Sequence, residues 1–310
     1  MAEKLDIIGL GEVCIDWIAF LDHLPEPDEK IFAKYVKSPG GVTANFVTAA
    51  ARLGCKTGFI AGVGDDDHGR FLIDILKANG VDSSHVKVHK DRNTAFNILL
   101  VGRKGEKVAL QDPNLRDNVP EPEELDGQYL SRARCLHTSA IKFATAEKAV
   151  ELAKRRGMIV SFDLEKHVAA YGVRKLRKIL KNTDILLPNK LGARELTKED
   201  DLATAAKKLL SYGPDVVVVT LGERGCMVVT AQEKFEVPAI RVKAVDTTGA
   251  GDAFAAGFVY SSILKGWDLK KSVVFANAVA AIKCLHRGAQ GGLPTVDEVK
   301  EFLKNRDVPI

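Results

Sequence analysis

Short apolar segments that alternate with helical patterns constrain the fold of this 310-residue chain more than any other feature. The run Val216-Val-Val-Val219 is apolar on both faces, as is typical of a strand that helices cover on both sides of a parallel sheet. Similar runs occur at residues 5–10, 57–63, 135–139, 159–163 and 184–187. Between them, apolar residues spaced three and four apart predict amphipathic helices, for example over residues 69–78, 146–155 and 203–210. The pattern predicts an α/β fold with a doubly wound, mostly parallel sheet flanked by helices.

Two segments depart from this alternation, at about residues 13–36 and 94–110. Both have the composition of extended strands or hairpins, and the second contains the turn signal Gly102-Arg-Lys-Gly105. Because no convincing crossover helix follows either segment, we predict a small β-sheet lid that projects from the edge of the main sheet. No repeat or flexible linker divides the sequence, so residues 1–310 are expected to form a single domain.

The composition excludes several classes of protein. The 45 Lys and Arg residues nearly balance the 41 Asp and Glu residues and are interleaved with them, unlike the clustered basic charge of a nucleic-acid-binding surface. The five cysteines are isolated and have no zinc-ligand spacing. No apolar stretch approaches the roughly 20 residues of a membrane-spanning helix, and the N-terminus lacks the apolar segment of a signal peptide. We therefore expect a cytoplasmic protein that binds neither nucleic acid nor membrane.

The segment Asp246-Thr-Thr-Gly-Ala-Gly-Asp252 carries the strongest chemical signal in the sequence. It follows a strand-like run over residues 236–245 and precedes a helical pattern of small residues. Backbone N–H groups at Gly249, Ala250 and Gly251 are expected to converge at a helix N-terminus, where unpaired donors and the helix dipole favour an anion such as phosphate. A carboxylate beside a bound phosphate is useful when it accepts the proton of an attacking hydroxyl, so Asp252 is a candidate base for phosphoryl transfer.

This segment resembles the C-terminal signature of the ribokinase-like (PfkB) carbohydrate kinases. Residues 40–54, which begin Gly-Gly-Val-Thr-Ala-Asn, resemble the N-terminal signature of the same family, and residues 62–69, 220–225 and 287–290 match further family segments in the same order. The resemblance covers nearly the whole chain. It implies a ribokinase-like fold and an ATP-dependent kinase that phosphorylates a hydroxyl of a small sugar or sugar derivative, with Mg²⁺ accompanying the ATP.

The resemblance also implies roles for individual residues. Asp252 matches the catalytic base, and residues 249–251 match the anion hole over the transferring phosphate. Asp16 matches an aspartate that hydrogen-bonds sugar hydroxyls, and a carboxylate can accept two such donors. Two glycines that let backbone lie against a sugar ring and one amide that donates and accepts complete the expected sugar site: Gly40, Gly41 and Asn45.

Nucleotide contacts are expected in later segments of the chain. The turn from Thr220 to Gly225 follows the most hydrophobic strand, and open α/β sheets place ligands at such carboxyl ends. The resemblance implies the following nucleotide-binding residues: Asn189, Thr220, Gly222, Gly225 and Asn277. One departure is visible, because the family usually has an Asn-x-x-Glu segment that helps to organise magnesium, whereas this chain has Gly192 three residues after Asn189.

A monovalent-cation site is a further implication of the resemblance. Asp246 and Thr248, together with residues 287–290, resemble the loop that binds such a cation in some family members. The corresponding hypothesis is that K⁺ binds near Asp246 and Thr248 and activates the enzyme. Equal rates with and without K⁺ would contradict it.

The sequence leaves the acceptor open between three chemical classes: a neutral small sugar, a sugar that carries an anionic group, and a nucleoside. Basic residues in segments expected near the pocket are Lys30, Arg116 and Lys142, of which we assign Arg116 to the substrate site. If two of these converge, the acceptor carries an anionic group, as a sugar phosphate or a keto-deoxy acid does. A nucleoside is the third class, because aromatic residues that could stack on a base occur near the expected lid: Trp17, Phe20, Phe32, Tyr35 and Phe96.

Other classes of function and the oligomeric state are also considered. A non-catalytic sugar or nucleotide sensor is compatible with the fold, but a pure binder has no use for Asp252. A dinucleotide-binding oxidoreductase is suggested by Gly9-Leu-Gly11, which lacks the third glycine and the helix of that motif. Family members often pair their lids across a dimer axis, and an exposed sheet edge is prone to pairing, so we predict a homodimer.

Overall fold

Two β-sheets organise the part of the chain that the computed structural model describes, which is residues 4–103 and 106–310 apart from the side chain of Lys107. The strands, in chain order, are β1 (Ile7–Leu10), β2 (Cys14–Leu21), β3 (Lys34–Gly40), β4 (Thr57–Gly64), β5 (Asp82–His89), β6 (Phe96–Gly102), β7 (Lys107–Gln111), β8 (Cys135–Thr138), β9 (Ile159–Leu164), β10 (Ile185–Pro188), β11 (Val216–Thr220), β12 (Cys226–Val229) and β13 (Lys234–Val237).

The larger sheet has nine strands in the order β13-β12-β11-β10-β9-β8-β1-β4-β5. The pairings from β11 to β5 are parallel, whereas β12 and β13 run antiparallel at one edge. Because β1 lies between β8 and β4, the chain winds one way from β1 to β5 and the other way from β8 to β11. The expectation of a doubly wound, mostly parallel sheet is confirmed. Ligands bind such sheets at the carboxyl ends of the strands near this reversal.

Helices cover both faces of the larger sheet. In chain order they are α1 (Val42–Arg52), α2 (Asp67–Ala78), α3 (Asn114–Asp117), α4 (Gly127–Leu130), α5 (Phe143–Arg155), α6 (Lys166–Ala169), α7 (Gly172–Lys181), α8 (Lys190–Thr197), α9 (Leu202–Leu210), α10 (Ala250–Val259), α11 (Leu269–Lys283) and α12 (Val296–Lys304), with 3₁₀ turns at Pro122–Glu124 and Gly222–Arg224 and a π-helical turn at Tyr260–Leu264. In residues 4–103 and 106–310, no helix combines the length and apolarity that crossing a membrane requires.

The core consists of two hydrophobic layers, one on each face of the larger sheet. Neighbouring residues of one strand, such as Ile7 and Ile8 in β1, enter different layers because successive side chains of a strand point to opposite faces. One layer packs against α1, α2, α10, α11 and α12, and the other against α5, α7, α8 and α9. The first of these layers packs α1 and α10, which carry the site residues, against the larger sheet.

The smaller sheet, with strand order β3-β2-β6-β7, corresponds to the lid expected from the sequence. Its strands reach Gly40 and Gln111, slightly beyond the expected ranges, and residues 104–105 of the anticipated turn lie outside the described residues. Asp16 lies opposite Ser38 in β3 and opposite Asn97 in β6. Since cross-strand partners share a face, these three polar side chains lie on one side of the lid.

The strand expected immediately before the glycine turn is shorter than the sequence indicated. β13 ends at Val237, and residues 238–244 have no regular structure, so the expectation was wrong for most of residues 236–245. The next residue, Pro238, has no N–H group to donate to a sheet ladder, which explains where the strand stops. The irregular segment then runs to the glycine turn at Gly249.

Candidate active site

Helix α10 begins at the glycine turn. Gly249 is its N-cap residue and has φ of 77°, a left-handed conformation that glycine adopts readily. A Cβ atom at Gly249 would lie 2.4 Å from the carbonyl oxygen of Ala289, whereas a Cβ atom at Gly251 would meet no other atom within 4 Å. The turn is therefore packed against the protein at Gly249 and open at Gly251. The N–H group of Ala250 donates a 3.2 Å hydrogen bond to the carbonyl oxygen of Thr247, so the exposed Gly251 is the position where this end of α10 is open to an anion.

Asp252 lies in the first turn of α10 and is 9% exposed. Its Oδ2 atom accepts a hydrogen bond of 2.7 Å from Nδ2 of Asn45, which belongs to the first turn of α1. Asn45 is held in turn, because its Oδ1 atom accepts a 3.1 Å hydrogen bond from Nε2 of Gln290. These three side chains connect α10, α1 and the segment that follows α11.

The charge state of Asp252 depends on its surroundings. Burial raises the pKa of the Asp252 carboxyl well above its usual value, because the charged form loses its hydration. The hydrogen bond from Asn45 opposes this shift by stabilising the carboxylate. The negative charges of Glu165, Glu12 and Asp16 raise the pKa further. A group with these properties can hold a proton that it takes from a substrate hydroxyl.

The lid supplies a second carboxylate to the same region. Asp16 is 6% exposed, and its Oδ1 atom accepts a 3.0 Å hydrogen bond from Nδ2 of Asn97. A Cβ atom at Gly40 would lie 2.3 Å from Asp16 Oδ2, so a side chain at position 40 would displace this carboxylate. Gly41 has φ of 100°, and a Cβ atom there would lie 2.6 Å from the carbonyl oxygen of Glu12. Both glycines allow the junction between β3 and α1 to pack closely against Asp16 and the backbone of Glu12.

A cleft of about 720 Å³ lies on the other side of the glycine turn. Its wall contains Ala250 and Gly251 together with four residues expected from the sequence to bind nucleotide: Thr220, Gly222, Gly225 and Asn277. The rest of the wall is largely apolar and includes Ile240, Val242, Phe254, Ala280 and Ala281. Apolar walls with a few polar groups are typical of small-molecule sites. The turn at residues 249–251 thus separates this cleft from the Asp252 side.

Comparisons with known proteins agree with this geometry. The model of the pfkB family of carbohydrate kinases matches residues 4–296. The chain belongs to the pfkB family. Its relatives include a 5-dehydro-2-deoxygluconokinase from Geobacillus thermodenitrificans, which is 32% identical over 98% of this chain and 94% of that protein. The expectations of this family and of a carbohydrate kinase are confirmed.

Solved structures show the same fold. A ribokinase from Thermotoga maritima has a TM-score of 0.82 and 30% identity, and the match covers 97% of this chain and 100% of that one. A structure from Escherichia coli, described as a candidate ribokinase II in complex with ATP and Mg²⁺, has a TM-score of 0.84 and 25% identity over 97% of this chain and 99% of that one.

The pfkB family's usual Asn-x-x-Glu segment is altered here for a visible steric reason. Asn189 caps α8, and its Oδ1 atom accepts a 2.7 Å hydrogen bond from the N–H group of Gly192. A Cβ atom at Gly192 would lie 2.3 Å from the carbonyl oxygen of Leu164. The end of β9 therefore occupies the space that a side chain at position 192 needs. Glu165 follows Leu164 directly in the chain, and the negative charge of its carboxylate raises the pKa of Asp252.

Two further buried acids, Glu12 and Asp163, lie near this edge, and no motif or spacing in the chain indicated either of them. Glu12 is 3% exposed, and its Oε2 atom accepts a 2.6 Å hydrogen bond from Oγ of Ser139. Burial raises the pKa of Asp163 well above its usual value, and the charge of Asp252 acts in the same direction. In the described ranges, no three His, Cys, Asp or Glu side chains are arranged to hold a metal ion.

The basic residues considered for an anionic acceptor interact mainly with nearby groups. Lys142 Nζ donates to Oε1 of Glu121 at 2.7 Å and to the carbonyl oxygen of Val119 at 2.8 Å. Arg116 Nε donates to Oδ1 of Asp117 at 2.8 Å, and about half of the Arg116 side chain remains exposed. Lys30 is exposed. The assignment of Arg116 to the substrate site therefore stays a prediction.

Asp246 connects the glycine turn to the segment after α11. Its Oδ1 atom accepts from the N–H group of Thr248 at 2.9 Å, and its Oδ2 atom accepts from the N–H group of Gly288 at 2.8 Å. Burial alone would raise the pKa of Asp246, but these hydrogen bonds and the charge of Lys283 outweigh it and lower the pKa. The ionised carboxylate of Asp246 thus connects the two loops by hydrogen bonds. K⁺ binding at Asp246 and Thr248 stays a hypothesis.

Proposed function

We propose that this carbohydrate kinase transfers the γ-phosphoryl group of ATP to a hydroxyl of a small sugar derivative, with Asp252 as the base. The observation that carries the proposal is the position of Asp252, which is held by Asn45 at the N-terminus of α10 between the nucleotide-sized cleft and the Asp16 side of the lid. In this arrangement the base and the anion-binding turn meet at one point.

The reaction follows from these contacts. The acceptor hydroxyl oxygen forms a bond to the γ-phosphorus while the bond from that phosphorus to the β,γ-bridging oxygen breaks, and ADP leaves. The hydroxyl proton passes to Asp252, whose Oδ2 atom is engaged by Asn45 and whose Oδ1 atom is left to face the acceptor. The N–H groups at residues 249–251 stabilise the charge on the transferring group. A loose transition state needs this positioning more than it needs a strong base.

Asp16 is the proposed anchor for the acceptor's other hydroxyls. Asn97 donates to Asp16 Oδ1, and a carboxylate has further acceptor positions that can receive hydroxyl donors. Because Asp16 lies on a lid strand and Asp252 on the core, an acceptor held by both would connect lid and core. Closure around the substrate would then exclude water, which otherwise competes as a phosphoryl acceptor.

The nucleotide site is proposed for the 720 Å³ cleft, with phosphates directed to the glycine turn. Mg²⁺ is implied by the family, and its preference for phosphate and water oxygens with one or two protein groups fits a site without a dedicated metal cluster in the described residues. Asn189 and Glu165 are the oxygen donors proposed to lie nearest to it. When bound, the ion neutralises phosphate charge.

A sugar acid is the acceptor that we would test first. The relative from Geobacillus thermodenitrificans is a kinase of 5-dehydro-2-deoxygluconate, and this compound carries a carboxylate. Arg116 is the proposed cation for that group, because its side chain is half exposed and a guanidinium binds a carboxylate in a bidentate manner. A nucleoside is less well supported. Tyr35 and Phe96 pair with Ala19 and Ile15, which lie on the lid face opposite Asp16.

A coupled assay of ADP release over sugar acids, ketohexoses, pentoses, sugar phosphates and nucleosides tests the proposal. We expect turnover with at least one acceptor, and loss of turnover in Asp252→Ala with ATP binding retained. The exposed acid Asp297 provides a matched control, Asp297→Ala, which should keep full activity. An active Asp252→Ala variant would refute the assignment of the base. ATP and sugar binding without any transfer in the wild type would favour a sensor.

We also propose a homodimer that pairs the lids. The lid face opposite Asp16 exposes Tyr35 by 65% and Leu110 by 56%, and a second copy of this face would cover them. Light scattering at micromolar protein should give twice the chain mass for the wild type. The double variant Tyr35→Asp, Leu110→Asp should be monomeric. A monomeric wild type would contradict this proposal.

The cysteines support a reducing, cytoplasmic compartment for the enzyme. All five are free thiols, and four of them are buried: Cys14, Cys55, Cys135 and Cys226. Burial raises the pKa of the Cys135 thiol to about 12, so the reactive thiolate is disfavoured. We therefore expect activity to be unaffected by reducing agents.

A further inference from the structure

Lys283 is a lysine with no solvent exposure at the C-terminal end of α11. Its Nζ atom donates a 3.0 Å hydrogen bond to the carbonyl oxygen of Asp246 and a 3.2 Å hydrogen bond to the carbonyl oxygen of His286. Lysine is almost never fully buried unless its charge is compensated. Here, the carbonyl oxygens, the negative end of the α11 dipole and the negative charge of the Asp246 carboxylate supply that compensation.

The two carbonyl groups belong to the two loops that meet beneath the anion hole. Asp246 opens the loop that leads to Gly249, and His286 opens the loop that leads to Gln290. The same loops are joined again where Gly249 packs on the backbone of Ala289, since a Cβ atom at Gly249 would lie 2.4 Å from the Ala289 carbonyl oxygen. Lys283 therefore links the two loops between which the glycine turn is packed.

The second loop also reaches the base. Gln290 at its end donates to Asn45, and Asn45 donates to Asp252. Displacement of the loop would thus disturb both the N–H groups of the anion hole and the carboxylate that accepts the proton. In addition, a positive charge behind the turn favours the negative charge of a phosphoryl group in front of it.

An apolar side chain could fill this space without the cost of burying an ammonium group. The charge of Lys283 therefore has an electrostatic use. Oxygen atoms that converge on one positive charge are also the environment that a bound monovalent cation requires. We propose that Lys283 is a built-in monovalent cation, which positions the anion-hole loops and makes the kinase independent of K⁺. This inference rests on the proposed function of the glycine turn and replaces the K⁺ hypothesis for Asp246 and Thr248.

The first test uses the unmodified enzyme. Its kcat should be the same, within about twofold, when choline is the sole monovalent cation and when K⁺, NH₄⁺ or Na⁺ is added. Activation by K⁺ well beyond this range would overturn the proposal whatever the variants do. This measurement requires only a wild type that turns over an acceptor.

The second test removes the charge. In choline buffer, Lys283→Ala should lower kcat by about tenfold to a hundredfold, as loss of a positioning group does, with a smaller change in KM for ATP. Addition of NH₄⁺ or K⁺, which can enter the vacated space, should restore much of the lost kcat. The exposed Lys270 on the same helix provides the control, because Lys270→Ala should keep wild-type kcat and gain no cation dependence.

The outcomes separate an electrostatic role from a merely structural one. A folded Lys283→Ala variant with wild-type kcat in choline overturns the proposal, as does a folded variant that no cation restores. Thermal denaturation gives a readout that does not need catalysis, since K⁺ or NH₄⁺ should raise the Tm of Lys283→Ala and leave the wild type unchanged. If the alanine variant does not fold, Lys283→Met replaces it for the comparison of kcat only, because Met keeps most of the volume and leaves no room for a cation. Its kcat should fall as in the alanine variant, and wild-type kcat would overturn the proposal. Failure of the proposed function would appear separately, as a wild type without kinase activity.

Discussion

Removal of the Asn45 side chain should change the pH dependence of the enzyme in a defined direction. Nδ2 of Asn45 donates a 2.7 Å hydrogen bond to Asp252 Oδ2 and lowers the pKa of Asp252 against the larger effect of burial. In Asn45→Ala this donor is lost, so the pKa of Asp252 rises further. Because phosphoryl transfer requires the ionised base, the acidic limb of the kcat/KM profile should move to higher pH.

The size of the effect follows from the chemistry of the bond. A hydrogen bond to a charged group contributes about 1.5–3 kcal/mol, and each 1.4 kcal/mol corresponds to about a factor of ten. On the acidic limb, kcat/KM should therefore fall by about tenfold to a hundredfold. The loss should shrink as the pH rises, because the base becomes ionised even without Asn45. Any part of the loss that persists at alkaline pH reports contacts of Asn45 with the acceptor.

The profile is measured by coupled ADP release at saturating ATP over a series of pH values. A control on the same helix is Thr48→Val, since Thr48 is buried and its Oγ1 atom donates only within α1, to the carbonyl oxygen of Ala44. This control should leave the acidic limb in place. If Asn45→Ala left the limb unchanged, or moved it to lower pH, Asp252 could not be the group that titrates on this limb.

Three further predictions follow from the same contacts. Gly251→Ala should keep or raise Tm, because the added Cβ meets nothing within 4 Å and alanine favours a helix. The same variant should lower kcat about a hundredfold, because the methyl group intrudes on the phosphate. Gly249→Ala should lower both Tm and kcat, since its Cβ would lie 2.4 Å from the carbonyl oxygen of Ala289. Wild-type kcat in Gly251→Ala would exclude the anion hole. The Tm of Asp252→Asn should exceed that of wild type by an amount that grows as the pH rises from 3.8, the ordinary pKa of aspartate, toward the raised pKa of folded Asp252, because only the unfolded wild type ionises in this range. Below pH 3.8 this difference in Tm should be absent. A difference that does not grow with pH would contradict this prediction. Ala280→Phe should raise KM for ATP about tenfold or more and leave KM for the acceptor unchanged, because a phenyl ring at position 280 would occupy space in the cleft. A raised KM for the acceptor with an unchanged KM for ATP would mean that the nucleotide binds outside this cleft.

The architecture could be predicted because its causes are local and periodic. A run such as the valines of β11 is apolar at every position, and the structure sends Val217 and Val218 into opposite hydrophobic layers. The start of α10 was also predictable, since the left-handed conformation of Gly249 favours glycine and small residues follow it. The end of β13 was missed because Pro238 acts on the hydrogen bonding of a sheet edge and leaves apolar periodicity unchanged.

The contacts that complete the site could not be predicted, because they join residues distant in the chain. Gln290 belongs to the family-like segment 287–290, but its contact with Asn45 was not expected, and Glu165 belongs to no local pattern. Each acquires its place only when the loops after α11 and β9 are positioned. Lys283 has the spacing of an ordinary polar residue near a helix end, where a solvated lysine is the rule. Its burial depends on two loops that close over the end of α11.

The role of Asp252 as the base is tested most directly by comparing Asp252→Asn with wild type in a single turnover. Both proteins are loaded with ATP, Mg²⁺ and the acceptor found in the screen, and transfer of labelled γ-phosphate is followed by rapid quench. If Asp252 is the base at the glycine turn, the variant should bind both substrates within about threefold of wild type, while the rate of transfer falls by about a hundredfold to ten-thousandfold. Transfer at close to the wild-type rate with both substrates bound would show that Asp252 is not the base.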